Sequence, residues 1–191
     1  MTITIHGDDH FSTLRLELYL ISREELIGLR PSPTPTDIFV HRPFTNFFGI
    51  LTQENLPREN RIVDVEHHPA NLKWYYRLIV HRDTAELIGS ISFHAPPDEM
   101  GMVEIGFGIH EKFRNRGYGK EALNAMFTWA CEQPQVKTLR YSVAQTNAPS
   151  QAIIQSFNFT HMGVQIDDED GPEDIYEMSA EEYVNRFVAM R

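Results

Sequence analysis

Cysteine is close to absent from this chain of 191 residues: Cys131 is the only one, so no intrachain disulfide can form. A lone thiol inside a helical pattern is more often small core filler than a nucleophile, and Cys131 is assigned no role. Positive charge is scarce as well. The chain has 17 Lys and Arg against 27 Asp and Glu, a formal net charge of −10. That balance argues against nucleic acid as a partner, because sequence-independent binding depends on cations neutralising phosphates. A cationic acceptor suits the charge better. Long apolar runs are missing too: no stretch reaches the length that spans a bilayer, and residues 1–10 have no basic region followed by an apolar core. The expectation is a soluble, cytoplasmic protein with no membrane partner.

Metal-site spacing is another absence. His94, His110 and the pair His67-His68 have no further ligands at suitable intervals, so no metal is expected. The run Asp167-Asp168-Glu169-Asp170 lacks the alternating ligands of a calcium loop and reads as a solvated connection between strands. There is no G-x-x-x-x-G-K-[ST] and no three-glycine dinucleotide fingerprint. No low-complexity tract interrupts the chain. Its 41% hydrophobic content is enough to bury a core, and residues 1–191 are expected to form a single domain.

Several elements can be read from periodicity. Leu14, Leu16, Leu18 and Leu20 alternate with Arg15, Glu17 and Tyr19, as in a half-buried strand, the first of the chain. Ser22 with Glu25 forms a capping-box pattern ahead of Leu26, Ile27 and Leu29, a short helix that Pro31, Pro33 and Pro35 end. Residues 36–72 are poorly periodic, with Phe39, Phe44, Phe47 and Phe48 in a long, partly helical connection. Strands 74–81 and 86–93 flank the turn Arg82-Asp83-Thr84-Ala85. A second turn at Ala95-Pro96-Pro97-Asp98 leads to a strand over Met102–Ile109, which makes an antiparallel meander. A helix over 120–132 places Leu123, Met126, Phe127 and Ala130 for burial. Further strands at 138–143 and 175–178, a helix at 151–157, and a final helix opened by Ser179 and Glu182 complete an α+β pattern around one sheet.

The most informative segment is Arg114-Asn115-Arg116-Gly117-Tyr118-Gly119, between the Met102–Ile109 strand and the helix that starts at Lys120. A strand, a Gly-rich turn and a helix leave the first helical N–H groups unbonded at the positive end of the dipole, a ready site for phosphate. Gly117 and Gly119 let an anion approach the backbone, and Arg114, Arg116 and Lys120 surround it with cations. The competing reading is a plain turn with surface arginines. In the strand itself, Val103, Ile105, Phe107 and Ile109 share one face, whereas Glu104, Gly106 and Gly108 share the other. Two glycines inside a strand mark a bulge, a close approach by a ligand, or room for a neighbouring side chain.

The R-x-x-G-x-G pattern after a strand resembles the coenzyme A pyrophosphate loop of the GNAT N-acetyltransferase superfamily. Asn147-Ala148-Pro149-Ser150, a short helix and Asn158-Phe159 resemble that family's second signature. Val103-Glu104-Ile105-Gly106-Phe107-Gly108-Ile109-His110 resembles the Glu-x-Gly-aromatic strand of the subgroup that acetylates ribosomal-protein N-termini and small amines. These matches cover about residues 87–165. The resemblance implies a GNAT-like α+β fold, with a mixed, mostly antiparallel central sheet flanked by helices on both faces. It also implies acetyl-CoA bound by Phe107, Gly108, Ile109, Arg114, Asn115, Arg116, Gly117, Tyr118, Gly119, Lys120, Asn147 and Ser150. Residues 36–72 would close over the acceptor, and a homodimer is expected by resemblance alone.

Transfer from a thioester needs a neutral amine, which an α-amino group with an ordinary pKa near ~8 supplies more readily than a lysine near ~10.4. Glu104 is the leading general base, directly or through one water; an ordinary surface or salt-bridged Glu is the competing reading. A strand N–H near residues 107–109 would stabilise the oxyanion. Many relatives carry a Tyr acid in the helix after the Asn, but Ile154 stands at that position here. Ser150 is the substitute acid, although a Ser there also makes an ordinary helix N-cap. Asn147 either bonds the cofactor arm or forms a turn through its own side chain. Asn158 replaces the family's usual Gly and is expected to keep the left-handed backbone of a helix end. Direct attack by the amine of a protein N-terminus or small molecule in a ternary complex is the expected activity. A catalytically silent acyl-CoA-binding or regulatory domain, suggested by Ile154, is the alternative, and nucleotide binding by the Gly loop is a third.

Overall fold

The structure is a computed structural model and describes residues 3–30, 39, 41–51, 56–167 and 171–189. Pro31, Pro33, Pro35 and the acidic residues 168–170 lie outside the described residues. The chain divides into two compact units, Met1–His94 with Phe107–Ala125, and Ala95–Gly106 with Met126–Arg191.

The first unit carries strands β1 (Thr4–His6), β2 (His10–Ser12), β3 (Leu16–Leu20), β4 (Arg77–His81) and β5 (Glu86–Phe93), hydrogen-bonded in that order and antiparallel throughout. The leucine alternation holds in β3, where Leu16, Leu18 and Leu20 are buried. Leu14, however, is 73% exposed and precedes the strand. Nor is β3 the first strand: β1 and β2 are too short to show a period, and they precede it. Helix α1 (Arg23–Gly28) starts at the expected capping box, in which the Ser22 hydroxyl accepts from Glu25 N–H and the Glu25 carboxylate accepts from Ser22 N–H. The long connection contains α2 (Glu59–His67) and a 3-10 turn, Pro69–Trp74. Ile21, Leu26, Phe39, Phe44, Ile62, Val65, Leu78 and Leu87 are buried in one apolar cluster, so the connection is docked on the sheet by its aromatic and aliphatic side chains.

The second unit orders its strands β6 (Met102–Ile109), β7 (Thr138–Ala144), β9 (Gly171–Ser179) and β8 (Thr160–Asp167). β6 and β7 are parallel, while β7/β9 and β8/β9 are antiparallel. Strand β8 escapes the sequence pattern because its outer residues Met162, Val164 and Ile166 are apolar yet exposed. Helix α4 spans Ala148–Gln155, and α5, Ala180–Tyr183, begins where the Ser179 hydroxyl accepts from Glu182 N–H and runs on into a π-helical turn. Phe127, Phe157, Phe159 and Tyr183 form an edge-and-tilt aromatic core.

Two elements contribute residues to both units: β6, and helix α3, which spans Tyr118–Cys131. The helix starts two residues earlier than the 120–132 reading, so Tyr118 and Gly119 lie in its first turn and not in the loop. Leu123, Met126, Phe127 and Ala130 are fully buried, as their spacing implies. The whole is an α+β fold with a mostly antiparallel sheet.

Candidate functional site

In the first unit β6 ends at Ile109 and the chain turns through Glu111–Phe113 into the Gly-rich segment. Asn115 and Gly117 take positive φ values of 60° and 82°, which fold the backbone sharply into the start of α3. Glu121 N–H bonds to the Gly117 carbonyl, so the amides of Tyr118, Gly119 and Lys120 are the first of the helix. Arg114 Nε donates to the Ile109 carbonyl at 2.9 Å and closes the loop against the strand end. The Arg116 guanidinium carbon lies 5.8 Å from the Phe113 ring centroid.

One residue that sequence reasoning passed over braces this segment. Arg15, from the chain just before β3, donates to the Arg116 carbonyl at 2.9 Å and lies over the Tyr118 ring at 4.5 Å. A Cβ on Gly117 would meet the Arg15 guanidinium at 3.3 Å. Arg15 is in turn held by Glu121, which is 1% exposed. The Glu121 carboxylate accepts from Arg15 N–H and Nε at 2.8 Å each and from the Thr13 hydroxyl at 2.7 Å. Because a charge that deeply buried needs partners, the position of α3 relative to β3 is tightly specified.

Gly89 of β5 and Gly108 of β6 serve different ends. A Cβ on Gly89 of β5 would lie 2.1 Å from the Gly108 carbonyl oxygen, so the backbones approach closely there. A Cβ on Gly108 would meet no atom within 4 Å, so that side of the strand is open. Phe107 is half-buried and Ile109 buried. Beyond the strand, Phe48 stacks on His110 at 4.3 Å and meets Phe113 edge-on at 5.4 Å.

In the second unit Glu104 is half-buried, opposite Arg140 in the parallel register. Arg140 is engaged by Glu177, with Nε to Oε1 at 2.7 Å. Asn147 is the N-cap of α4, its side-chain oxygen accepting from Ser150 N–H at 3.3 Å. Ser150 is therefore not the cap that its position allowed. Its hydroxyl hydrogen-bonds the Tyr141 phenol, whose pKa burial pushes up to about 12 while that hydrogen bond pulls the other way. Tyr141 was another residue without a sequence signal, since an aromatic on a strand reads as core. Gln145 and Gln151, on either side of the Asn147–Ser150 turn, each donate to Asp174 at 3.0 Å, and Tyr176 donates to Gln151 at 2.8 Å. Ile154 is 0% exposed, a core residue. Asn158 has φ 54°, the left-handed conformation expected of it.

Among the described residues no group of three or more His, Cys, Asp or Glu is arranged to hold a metal, and no helix is long and apolar enough to cross a membrane. At Cys131 burial pushes the thiol up to about 12, with the Glu132 charge adding to the effect.

A strand leading through a sharp positive-φ turn into a helix is an arrangement by which α+β domains can hold a phosphorylated ligand at a helix N-terminus. Residues 44–160 match the family described as Acetyltransferase (GNAT) domain, and the chain belongs to that family. It is 33% identical over 82 residues to the uncharacterized N-acetyltransferase YjdG of Bacillus subtilis, covering 43% of this chain and 49% of that one. With the uncharacterized N-acetyltransferase p20 of Bacillus licheniformis it shares 25% identity over 86 residues, 45% and 48% of the two. The chain thus spans about half the length of these two curated relatives. Among solved structures, a ribosomal-protein-S5-alanine acetyltransferase from Vibrio fischeri superposes with a TM-score of 0.62 at 13% identity, over 91% of this chain and 98% of that one. RimL, a ribosomal L7/L12 alpha-N-protein acetyltransferase in complex with coenzyme A, does so with 0.57 at 17%, over 87% and 95%. Both likenesses concern the fold.

Proposed function

We propose that this chain transfers an acetyl group from acetyl-CoA to a primary amine by direct attack in a ternary complex. The observation that carries the reading is the start of α3, where the 82° φ of Gly117 turns the backbone into the helix and Arg15 braces it at the Arg116 carbonyl, in a segment that also carries Arg114 and Arg116. The pyrophosphate of acetyl-CoA fits such a group of donors, and the open side of Gly108 fits an extended pantetheine arm. Arg114, Asn115, Arg116, Gly117, Tyr118, Gly119 and Lys120 then hold the phosphates, Phe107, Gly108 and Ile109 line the arm, and Asn147 and Ser150 contribute from the start of α4.

Glu104 takes the proton of the amine as its nitrogen forms the new C–N bond and the C–S bond breaks. Ser150, backed by the Tyr141 phenol, protonates the departing thiolate. A protein N-terminal α-amine is the first acceptor to test, motivated by the neighbours named as ribosomal-protein acetyltransferases, and a polyamine the second, after a spermidine N-acetyltransferase chimera with a TM-score of 0.60. The family match over 44–160 takes in residues of both units, which supports reading 1–191 as one acetyltransferase domain. A cytoplasmic, homodimeric enzyme agrees with the single thiol and with the subgroup resemblance.

One observation favours the second reading, a silent acyl-CoA-binding domain: Ile154 is sealed in the core, so no acid stands there. Two experiments decide. Thermal stability is measured with acetyl-CoA, coenzyme A, ATP and NAD in parallel; a ligand at about 100 times its Kd adds ~2.7 kcal/mol. A shift with the coenzyme A compounds alone supports the site, while a shift with ATP or NAD alone, or none, refutes it. Thiol release is then followed with alanine- and serine-initiated peptides and with spermidine. Glu104→Gln is expected to lower kcat by about 10²–10⁴-fold with the acetyl-CoA thermal shift unchanged. If the wild-type chain binds acetyl-CoA but turns over none of these amines, the silent domain is favoured.

A further inference from the structure

The parallel pairing of β6 with β7 covers only three residues a side: Met102 with Thr138, Val103 with Leu139 and Glu104 with Arg140. Both strands continue, β6 to Ile109 and β7 to Ala144, but their registered pairing ends at Glu104 and Arg140. Registered residues of neighbouring strands share a face, and so do residues two apart along one strand. Ser142, two beyond Arg140, therefore lies on the face of Glu104, just past the last pair. Gly106, two beyond Glu104, shares that face and has no side chain. Opposite on β9, the register partners are Glu177 for Arg140 and Ile175 for Ser142. Glu177 is engaged with Arg140, and Ile175 offers no polar atom.

Ser142 is half-buried, yet its hydroxyl oxygen is buried and has no hydrogen-bond partner among the described residues. A hydroxyl removed from water without a partner is costly, and such atoms are few in folded chains. A partner supplied by a ligand accounts for its persistence. By strand spacing and rise, the Cα atoms of Glu104 and Ser142 are about 8 Å apart, a span that one nitrogen bonded to both side chains can bridge.

We infer that Ser142 Oγ is a contact for the acceptor amine and selects primary over secondary amines. This rests on the acetyltransfer reading and on Glu104 as its base. A neutral primary amine has two N–H donors and one lone pair. Glu104 receives one N–H, directly or through a water, and Ser142 Oγ accepts the other. The lone pair is then left to attack the thioester carbon. The N–C bond forms, the C–S bond breaks, the amine proton passes to the Glu104 carboxylate, and the thiolate is protonated. An N-methylated amine has a single N–H and leaves one of the two acceptors unmatched.

The test uses whichever of the alanine peptide, serine peptide and spermidine the wild-type chain turns over fastest, alongside its N-methyl derivative. Ser142→Ala is expected to lower kcat/KM for the primary amine about tenfold, the worth of one well-placed hydrogen bond. It should leave the N-methyl derivative nearly unchanged, so that the primary-to-secondary ratio collapses. Ser142→Thr, which keeps the hydroxyl and suits a strand, should restore the ratio, and the acetyl-CoA thermal shift should persist in both variants. A Ser142→Ala enzyme with an unchanged ratio, or equal losses on both acceptors, overturns the assignment of Ser142 while leaving the enzyme intact. A wild-type chain inactive on all three amines fails one step earlier, at the acetyltransfer reading itself.

Discussion

Asn158 holds a left-handed backbone at the end of α4, with φ 54°, where relatives by resemblance carry glycine. Asn is among the few side chains that tolerate that conformation, so the helix end survives the exchange. Asn158→Gly is expected to be close to neutral, and Asn158→Ala to cost about 1 kcal/mol, read from urea unfolding midpoints. Glu104 and Ser150 were candidates in the sequence on the strength of the residues flanking them. Tyr141 and Ser142 were not, because an aromatic and a small polar residue alternating on a strand are what an ordinary half-buried strand shows. What sets them apart is a hydrogen bond in one case and, among the described residues, the lack of one in the other. Neither leaves a mark on composition or period.

Among the elements, α3 depends on a partner far away in sequence. Glu121 is enclosed by Thr13 and Arg15, more than a hundred residues earlier, and no helical periodicity announces that a carboxylate will be buried. Glu121→Ala leaves Arg15 without its anchor and the Thr13 hydroxyl without its acceptor. The expected loss is about 3 kcal/mol, measured by chemical unfolding, and the acetyl-CoA thermal shift should shrink with it, because Arg15 also braces the loop at Arg116. Elements with strong local signals matched the sequence closely: β6 runs over Met102–Ile109 as read, and the Ser22 box opens α1. The weakly marked ones did not. β1 and β2 have three residues each, too few to display alternation, and the apolar residues of β8 face outward.

For the whole molecule, acid stability follows from four carboxylates. At Glu25, burial pushes the pKa up, but hydrogen bonds from Arg42 and Ser22 outweigh it. At Asp64, burial is outweighed by Tyr75, Asn71 and His68. Hydrogen bonding from Arg30 lowers Glu66, and from Gln145 lowers Asp174. All four lie below their ordinary values when folded, so the folded state binds fewer protons than the unfolded chain. Their stabilisation is complete above the unfolded carboxylate range near ~4 and is lost as pH falls through the folded values. Melting temperature should be flat with pH near neutrality and fall steeply below about pH 4. A melting temperature unchanged down to pH 3 would contradict these networks. Glu25 and Asp64 belong to the first unit, Glu66 likewise, and Asp174 to the second, so both units should weaken together.

The one thiol of the chain has a practical consequence. Cys131 is partly buried on the C-terminal turn of α3 and titrates at about 12, so less than about one part in a thousand is thiolate at pH 8. The native protein should take up no iodoacetamide at pH 8 within minutes, and the unfolded chain one equivalent, read by mass. A folded chain that labels at once would refute the shielding. With that background silent, a cysteine placed by mutagenesis at Lys112 or Leu14 becomes a unique attachment point for a fluorophore or spin label. The wild-type sequence thus already provides the quiet template that spectroscopic distance work on other proteins must first engineer.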